Sequence, residues 1–450
     1  MFLSIGFALG CGLGAYVLDS NLLIVCCIAA AVVGALCLVI RKRPAKMAFL
    51  VLFGAALGFL WMHTYDEVYL SRLRGFDGET VSATVTVTDY SQDNYYGIGA
   101  DGKILLDGKT YRIRVYVNDL QELSPGDRLS GQIELQTTTA GGAAESDYRQ
   151  GIGVFLVGYV SSGATHEKAE KLELQYYPAA FRYRVLDLIE RIFPAETLAF
   201  TRALLFGKTD QISYEEDTAY KVSGIRHVVA VSGLHISILF SLVYIAAGKR
   251  RFLTALLGIP VLILFAAAAG FTPSVVRACT MQCLMILALL LKKEYDPPTA
   301  LAAAVLVMLL CNPMSVMSVS LQLSVGSMAG IFLFTGKIHA YFMAGKLGGK
   351  AKGKGILAKL LRWCLGSISV TLGAMSLTTP LSAYYFDTVS LVGILTNLLC
   401  LWVISFIFYG IMLSCLLGAF WLPAGQVAAG FVSILIRYIQ GISDFLSGIP

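Results

Sequence analysis

MAFLVLFGAALGFLWMHTYDEVYLSRLRGFDGETVSATVTV, residues 47–87, changes its period halfway along. From Met47 to Met62 it is apolar on every face and carries no charge, which is the character of a helix surrounded by hydrocarbon. From Val81 the pattern shifts. Val81, Ala83, Val85 and Val87 alternate with polar residues, the period of a strand with one face buried and one in water. A wholly apolar helix followed by a half-wetted strand means that the chain leaves a bilayer and builds a β domain beside it. The expected fold is a polytopic α-helical membrane protein with an inserted small extracellular all-β (OB-like) domain.

Composition points the same way. The chain has 450 residues, 56% hydrophobic and 14% charged, with mean hydropathy +0.70, whereas a soluble domain carries about 25% charged residues. Hydrocarbon excludes ionised groups, so the deficit of charge weighs more than the apolar surplus. The length accommodates about ten spans of roughly 20 residues and one domain of about 110. All ten cysteines lie in or beside apolar segments, and none falls between Cys37 and Cys279. The β domain therefore holds no internal disulfide, and the cysteines read as small packing hydrophobes. Apolar from Met1 onward, without a basic leader or a small-residue cleavage site, the N-terminus reads as a retained span.

Working outward from residues 47–87, apolar runs at 2–18 and 22–40 precede the basic stretch Arg41-Lys42-Arg43-Pro44-Ala45-Lys46. The positive-inside rule places that stretch in the cytoplasm, so span 47–62 exits outward. Beyond it, Tyr111, Ile113, Val115 and Val117 repeat the strand alternation, Ser124-Pro125-Gly126-Asp127 is a turn, and residues 129–135 and 154–160 are further strands. A polar, Gly-rich link at 137–153 joins the last two. Five or so short strands suit a small barrel, of which the OB-fold is one member. Residues 180–191 put Phe181, Val185, Leu188 and Ile189 on one face and suit a helix lying in the membrane interface, with 197–206 as a second.

Apolar runs then follow at 225–247, 252–270, 275–291, 300–311, 316–335, 361–386, 391–421 and 427–439. Lys249-Arg250-Arg251, Lys292-Lys293 and the basic residues from Lys337 to Arg362 mark alternate loops as cytoplasmic, while the turns at 271–274 and 312–315 lack Lys and Arg. The predicted organisation is N-terminal helices at 1–63, the β domain at 64–178 and a second membrane domain at 179–450. The predicted location is the cytoplasmic membrane, multi-pass, with the β domain extracellular or periplasmic.

Charge divides unevenly. Residues 64–178 hold 10 basic and 17 acidic side chains, a net of −7, against +6 for the whole chain. The β domain is therefore no polycationic nucleic-acid grip. A local patch of Arg112, Arg114 and Tyr116, with Tyr95 and Tyr96 in a nearby loop, is its candidate contact for a single strand. The plainer reading is of ordinary solvated strand residues.

Polar side chains inside hydrocarbon are costly and mark pathways. The densest group is His227, Ser232, Gly233 and His235 in the run 225–247. Ser232 and His235 are three apart and share a helix face, and Gly233 permits a break or a close backbone approach. Three readings apply: interhelical hydrogen bonding, an aqueous path, and a serine–histidine hydrolytic pair. No orienting acid lies near that pair in sequence, and no Gly-x-Ser-x-Gly elbow is present. Further candidates are Ser274, Arg277, Gln322, Ser324, Pro380 and Asn397. Arg277 near a span end has a bland reading as a snorkelling side chain. Pro380 and Asn397, in overlong apolar tracts, suggest broken helices lining a cavity.

HVVAVSGLHISI (227–238) resembles the signature of the ComEC competence family, membrane proteins of DNA uptake. RALLFGKTDQIS (202–213), GFTPSVVRACTMQ (270–282), SLQLSVGSMAGI (320–331), TTPLSAYYF (378–386) and GILTNLLC (393–400) are similar to its later motifs, and SDYRQGIGVFLVGYV (146–160) to the end of its OB-like domain. The resemblance implies a channel passing one DNA strand into the cytosol, with His227, Ser232, Gly233, His235, Arg277, Gln322 and Asn397 at or near the lumen. It implies single-stranded DNA, an extracellular DNA receptor and a cytosolic ATP-driven motor as partners, and it leaves a separate nuclease and a homo-oligomer open. A transporter of another polar substrate on the same scaffold is the alternative. Many family members add a metallo-β-lactamase-like domain with a His-x-His-x-Asp-His cluster. His63, His166, His227, His235 and His339 are too dispersed to form one, so the expectation is a truncated or short form with no nuclease metal cluster, no cofactor and no catalysis.

Overall fold

The computed structural model describes residues 1–18, 20–40, 42–94, 97–117, 122–138, 148–160, 164–229, 231–351, 353–390 and 392–448. Tyr95 and Tyr96 lie outside the described residues. The fold is mostly helical, with one small β barrel. Among the described residues, seven helices are long and apolar enough to cross a membrane: Arg43–Arg74, Arg251–Ala268, Pro273–Leu291, Val319–Ala344, Ile356–Phe386, Gly393–Phe420 and Leu422–Ser447. The length has room for about ten spans, and the apolar runs of the sequence fall on these helices and on four shorter ones. Phe2–Tyr16, Leu22–Cys37, Gly233–Ala246 and Pro297–Cys311 are apolar but shorter.

Contacts divide the chain into two units. The first comprises residues 1–183, 270–281 and 295–321; the second comprises 184–269, 282–294 and 322–450. In the first, the helix Phe2–Tyr16 packs on Arg43–Tyr65 backbone to backbone. A Cβ on Gly10 would meet the Ala55 carbonyl oxygen at 2.4 Å, and one on Gly58 would meet that of Phe7 at 2.4 Å. Glycines at four-residue spacing on both helices make this approach. The Trp61 indole N–H donates to the Leu309 carbonyl at 3.0 Å.

The barrel is built from β1 (Thr80–Val87), β2 (Gln92–Asn94), β3 (Gly97–Leu106), β4 (Lys109–Val117), β5 (Arg128–Thr137), β6 (Leu156–Val160) and β7 (Thr165–Glu167). The order is β1-β3-β4-β6-β5, with β1 also paired to β5, so five strands close on themselves. β4 and β6 run parallel and the other pairs antiparallel. This Greek-key closure is consistent with an OB-like domain. Val85, Val87, Tyr111, Ile113, Val115, Leu129, Ile133 and Leu135 point inward as their alternation requires. Asp107 and Gly108, both at positive φ, turn β3 into β4, the Asp-Gly hairpin chemistry. β3 escaped the sequence reading because Gly97, Gly99 and Gly102 interrupt its pattern. Gly102 is small for a reason, since a Cβ there would lie 2.5 Å from Val85 Cγ1. The barrel core continues into Phe59, Met62, Leu70 and Leu73 of the preceding helix, so the barrel packs on the N-terminal helices instead of hanging from a linker.

The second unit is centred on Ile189, Phe200, Leu204, Ile404, Phe408, Ile411 and Ile436. The expected second interfacial helix, Ala195–Phe206, is corrected. Phe200, Ala203, Leu204, Leu205 and Phe206 are buried in this core, and Thr197 shares a hydroxyl hydrogen bond with Ser433 at 3.1 Å. The expected breaks at Pro380 and Asn397 are also corrected. Ile356–Phe386 runs through Pro380, and Gly393–Phe420 runs through Asn397. Pro380 removes one hydrogen bond near the exposed C-terminal end of a long helix, and the flanking turns hold it. The tract 391–421 ends instead at Trp421, in extended conformation, before Leu422–Ser447.

Candidate functional site

A real break falls where the polar residues are densest. The apolar run 225–247 is two helices, Arg226–Val229 and Gly233–Ala246. Ser232 is extended, at φ −133° and ψ 179°, and forms the N-cap of the second helix. His235 is therefore not a free face neighbour of Ser232. Its Nδ1 accepts the Ser232 backbone N–H at 3.0 Å and lies 3.3 Å from Ser232 Oγ. The imidazole thus takes the place that a Glu or Gln fills in a capping box. With Nδ1 accepting, the ring proton belongs on Nε2. That atom is buried with no hydrogen-bond partner among the described residues, and the ring sits edge-to-face on Phe408 at 5.3 Å.

The helix Gly393–Phe420 runs alongside this break. Gly224, at φ +80°, has no room for a Cβ, which would lie 2.8 Å from Ser390 Oγ and 2.9 Å from Gly393 Cα. His227 is exposed beside it, with Nδ1 2.9 Å from the Gly224 carbonyl. About four turns along from Gly393, Phe408 meets His235 and the Tyr409 hydroxyl donates to the Ile238 carbonyl at 3.4 Å. Residues 224–229 and 231–238, Ser390 and the first half of Gly393–Phe420 therefore form one polar seam. Ser390 Oγ, beside Gly224, and Asn397 Oδ1, on the helix Gly393–Phe420, are like His235 Nε2 buried and without a hydrogen-bond partner among the described residues. A buried polar atom left unpaired costs about 1–3 kcal/mol, so the atoms call for water or a polar solute beside them.

A second polar contact joins the two least buried long helices of this unit. Tyr385 Oη donates to Gln322 Oε1 at 2.7 Å, linking Val319–Ala344 to Ile356–Phe386. Those helices approach closely where a Cβ on Gly330 would lie 2.3 Å from the Gly373 carbonyl oxygen. Ser324 is half-buried on the same helix as Gln322, and Pro380 is exposed. Sequence reading found Gln322 but missed Tyr385, Ser390 and Phe408. Tyr385 lies inside TTPLSAYYF, yet nothing local assigns it a partner 63 residues away.

In the first unit, Ser274 and Arg277 lie on Pro273–Leu291. Arg277 is buried and does not snorkel. Its Nη1 contacts Met281 Sδ at 3.6 Å, and its Nε has no hydrogen-bond partner. The turn at 312–318 is tied to the barrel's last link, because Asn312 Nδ2 donates to the Gln150 carbonyl at 2.8 Å and Ser315 Oγ to that of Gly151 at 3.1 Å.

On the barrel the patch is occupied by its own neighbours. Arg114 pairs with Asp101 at 2.9 Å and Arg112 Nη1 donates to the Ile152 carbonyl at 3.0 Å. Tyr116 is buried, accepts from Arg149 at 2.9 Å and stacks on Tyr159 at 5.6 Å. Asp127 is held by several donors of the barrel region. Burial acts to raise its pKa, but the Ala169 and Ser124 N–H donors and His166 outweigh it and hold the carboxyl below its ordinary value. His166 Nε2 is 2.9 Å away. A groove of about 310 Å³ lined by Thr84, Thr86, Lys103, Arg128 and Tyr176 is a second polar face that the alternation did not reveal. Among the described residues, no group of three or more His, Cys, Asp or Glu is placed to hold a metal ion.

A family model described as "Competence protein" matches residues 204–450, the segment that holds the polar seam and the Gln322–Tyr385 contact. Over 275 residues the chain is 26% identical to ComE operon protein 3 of Bacillus subtilis, covering 58% of this chain and 33% of that protein. Over 253 residues it is 24% identical to Recombination protein 2 of Haemophilus influenzae, covering 53% and 31%. The chain thus matches about a third of the length of the curated relatives. No solved structure matches it.

Proposed function

Because the chain belongs to the competence protein family, we propose that it is a multi-pass protein of the cytoplasmic membrane that passes one strand of DNA inward during transformation. The observation that carries the reading is the coincidence of the family match with the seam of buried, unpaired polar atoms at His235, Ser390 and Asn397. Unpaired polar groups inside apolar helices line routes for polar solutes. A hydrated strand of phosphates and bases offers such atoms donors and acceptors without a fixed partner.

The β domain stands on the outer side. Loop charge supports this, with Lys and Arg gathered at 249–251, 292–293 and 337–362. The turn at 312–318, which carries neither, is tied to the barrel link by Asn312 and Ser315. The barrel, acidic overall, acts as a docking or gating surface, with Lys103 and Arg128 as its contacts to a strand. A receptor outside and an ATP-driven motor inside supply capture and direction, since a passive route performs no work. The chain breaks no bond in this scheme. His235 Nδ1 is used up in capping its own helix, so Ser232 has no free base, which disfavours the hydrolase reading. Deleting the gene is expected to abolish transformation while labelled DNA still accumulates on the cell surface. Unchanged transformation in a clean deletion would overturn the proposal.

A further inference from the structure

Residues 337–362 join the two helices that Gln322 and Tyr385 connect. The stretch holds Lys337, Lys346, Lys350, Lys352, Lys354, Lys359 and Arg362, and no Asp or Glu. Lys337, Lys350, Lys354, Lys359 and Arg362 are exposed. The cations do not stand alone. Ile356 is 87% and Leu357 79% exposed, with Leu360, Trp363 and Tyr341 also exposed.

Helical geometry sorts these side chains. At 3.6 residues per turn, Ile356, Leu360 and Trp363 form one stripe, and Lys359 and Arg362 form the stripe beside it. Ala358 and Leu365 lie on the opposite side and are the buried ones. The helix Ile356–Phe386 has 31 residues, about 46 Å at 1.5 Å per residue. A hydrocarbon core is about 30 Å thick, so roughly the first ten residues extend beyond it. Apolar side chains and a Trp beside Lys and Arg at that depth match the headgroup layer, where one stripe enters acyl chains and the other meets phosphates.

We propose that residues 337–362 form a binding surface for the phosphates of anionic phospholipid headgroups. The inference rests on the membrane reading above. A DNA strand or an acidic protein would also satisfy the cations, but a hydrated polyanion gives Ile356 and Leu357 no apolar environment, and a bilayer does.

The test uses the full chain reconstituted in vesicles of phosphatidylcholine with phosphatidylglycerol, and counts the lipids that stay bound after extraction by native mass spectrometry. Wild type is expected to retain phosphatidylglycerol over its bulk share by about tenfold, from the attraction of several cations to an anionic surface. The combined Lys350→Gln, Lys354→Gln, Lys359→Gln and Arg362→Gln variant is expected to fall to near parity, and the matching Lys→Arg variant to keep the preference. No enrichment in wild type, or equal enrichment in wild type and the Gln variant, overturns the proposal. Unchanged lipid preference with weakened binding of oligodeoxythymidylate overturns it in favour of a strand-binding loop. Failure of wild type to insert into vesicles of either lipid would remove the membrane reading, and this inference with it.

Discussion

The barrel and the polar seam treat buried polarity in opposite ways. In the barrel, Asp127 is met by two backbone donors and His166, Arg114 by Asp101, and Tyr116 by Arg149. Each group closes on another element of the same small fold. Around the seam, His235 Nε2, Ser390 Oγ and Asn397 Oδ1 are as hidden but have no hydrogen-bond partner among the described residues. A satisfied buried network rigidifies a fold, whereas an unsatisfied one costs stability unless something else fills it. The barrel therefore holds its own shape, and on the reading proposed above the seam leaves its polar atoms to a passing solute.

The largest expected effect tests the first unit. Gly58→Leu drives a side chain into the Phe7 backbone, where even a Cβ would sit 2.4 Å from the carbonyl oxygen. We expect loss of the folded chain in detergent, exceeding the usual overpacking cost of about 1–3 kcal/mol, read by thermal unfolding and size exclusion. Retention of a sharp transition near that of wild type would mean that the two helices do not pack this way.

Next comes Asp127→Ala, which leaves the Ser124 and Ala169 N–H groups and His166 without their acceptor. It should destabilise the barrel by roughly 2–3 kcal/mol, seen as faster hydrogen exchange along β5 and β7. Asn397→Leu should behave differently. Replacing a side chain whose buried Oδ1 has no partner among the described residues by an apolar one of similar size should leave stability within about 1 kcal/mol or raise it, while DNA passage falls. A loss of stability equal to that of Asp127→Ala would erase the distinction between the regions.

The smallest effect is on acid tolerance. The Asp127 pKa is lowered in the folded chain, so its contribution is full above the unfolded carboxylate value of about 4. It is lost as pH falls through the lower folded value. Unfolding followed from pH 5 to pH 2 should show this acid step, and Asp127→Asn should lack it.

Much of this was legible before any coordinates. The apolar runs and the alternation at Val85–Val87 and Tyr111–Val117 depend only on neighbours in sequence, and they located the long helices and the strands. Closure of the barrel was not legible, because the parallel pairing of β4 with β6 joins segments that share no local signal. Pro380 misled because a proline near a helix end removes a single hydrogen bond, which the turns around it absorb. Residues 197–206 misled because a short apolar helix does not say whether a membrane surface or a protein core covers it. At the site, the local polar cluster was visible, and Gly233 left open either a break or a close backbone approach, of which the structure shows the break. Pairings such as Gln322–Tyr385 and the approach of Ser390 to Gly224 depend on helix contacts across the unit, and no periodicity records them.

The most direct measurement of the central claim is passage of labelled single-stranded DNA into proteoliposomes, comparing wild type with His235→Leu and Gln322→Leu, each first shown to be folded. The account predicts that both variants pass at least tenfold less DNA than wild type under the same driving force. Equal passage by all three would contradict it and return these side chains to the role of interhelical packing.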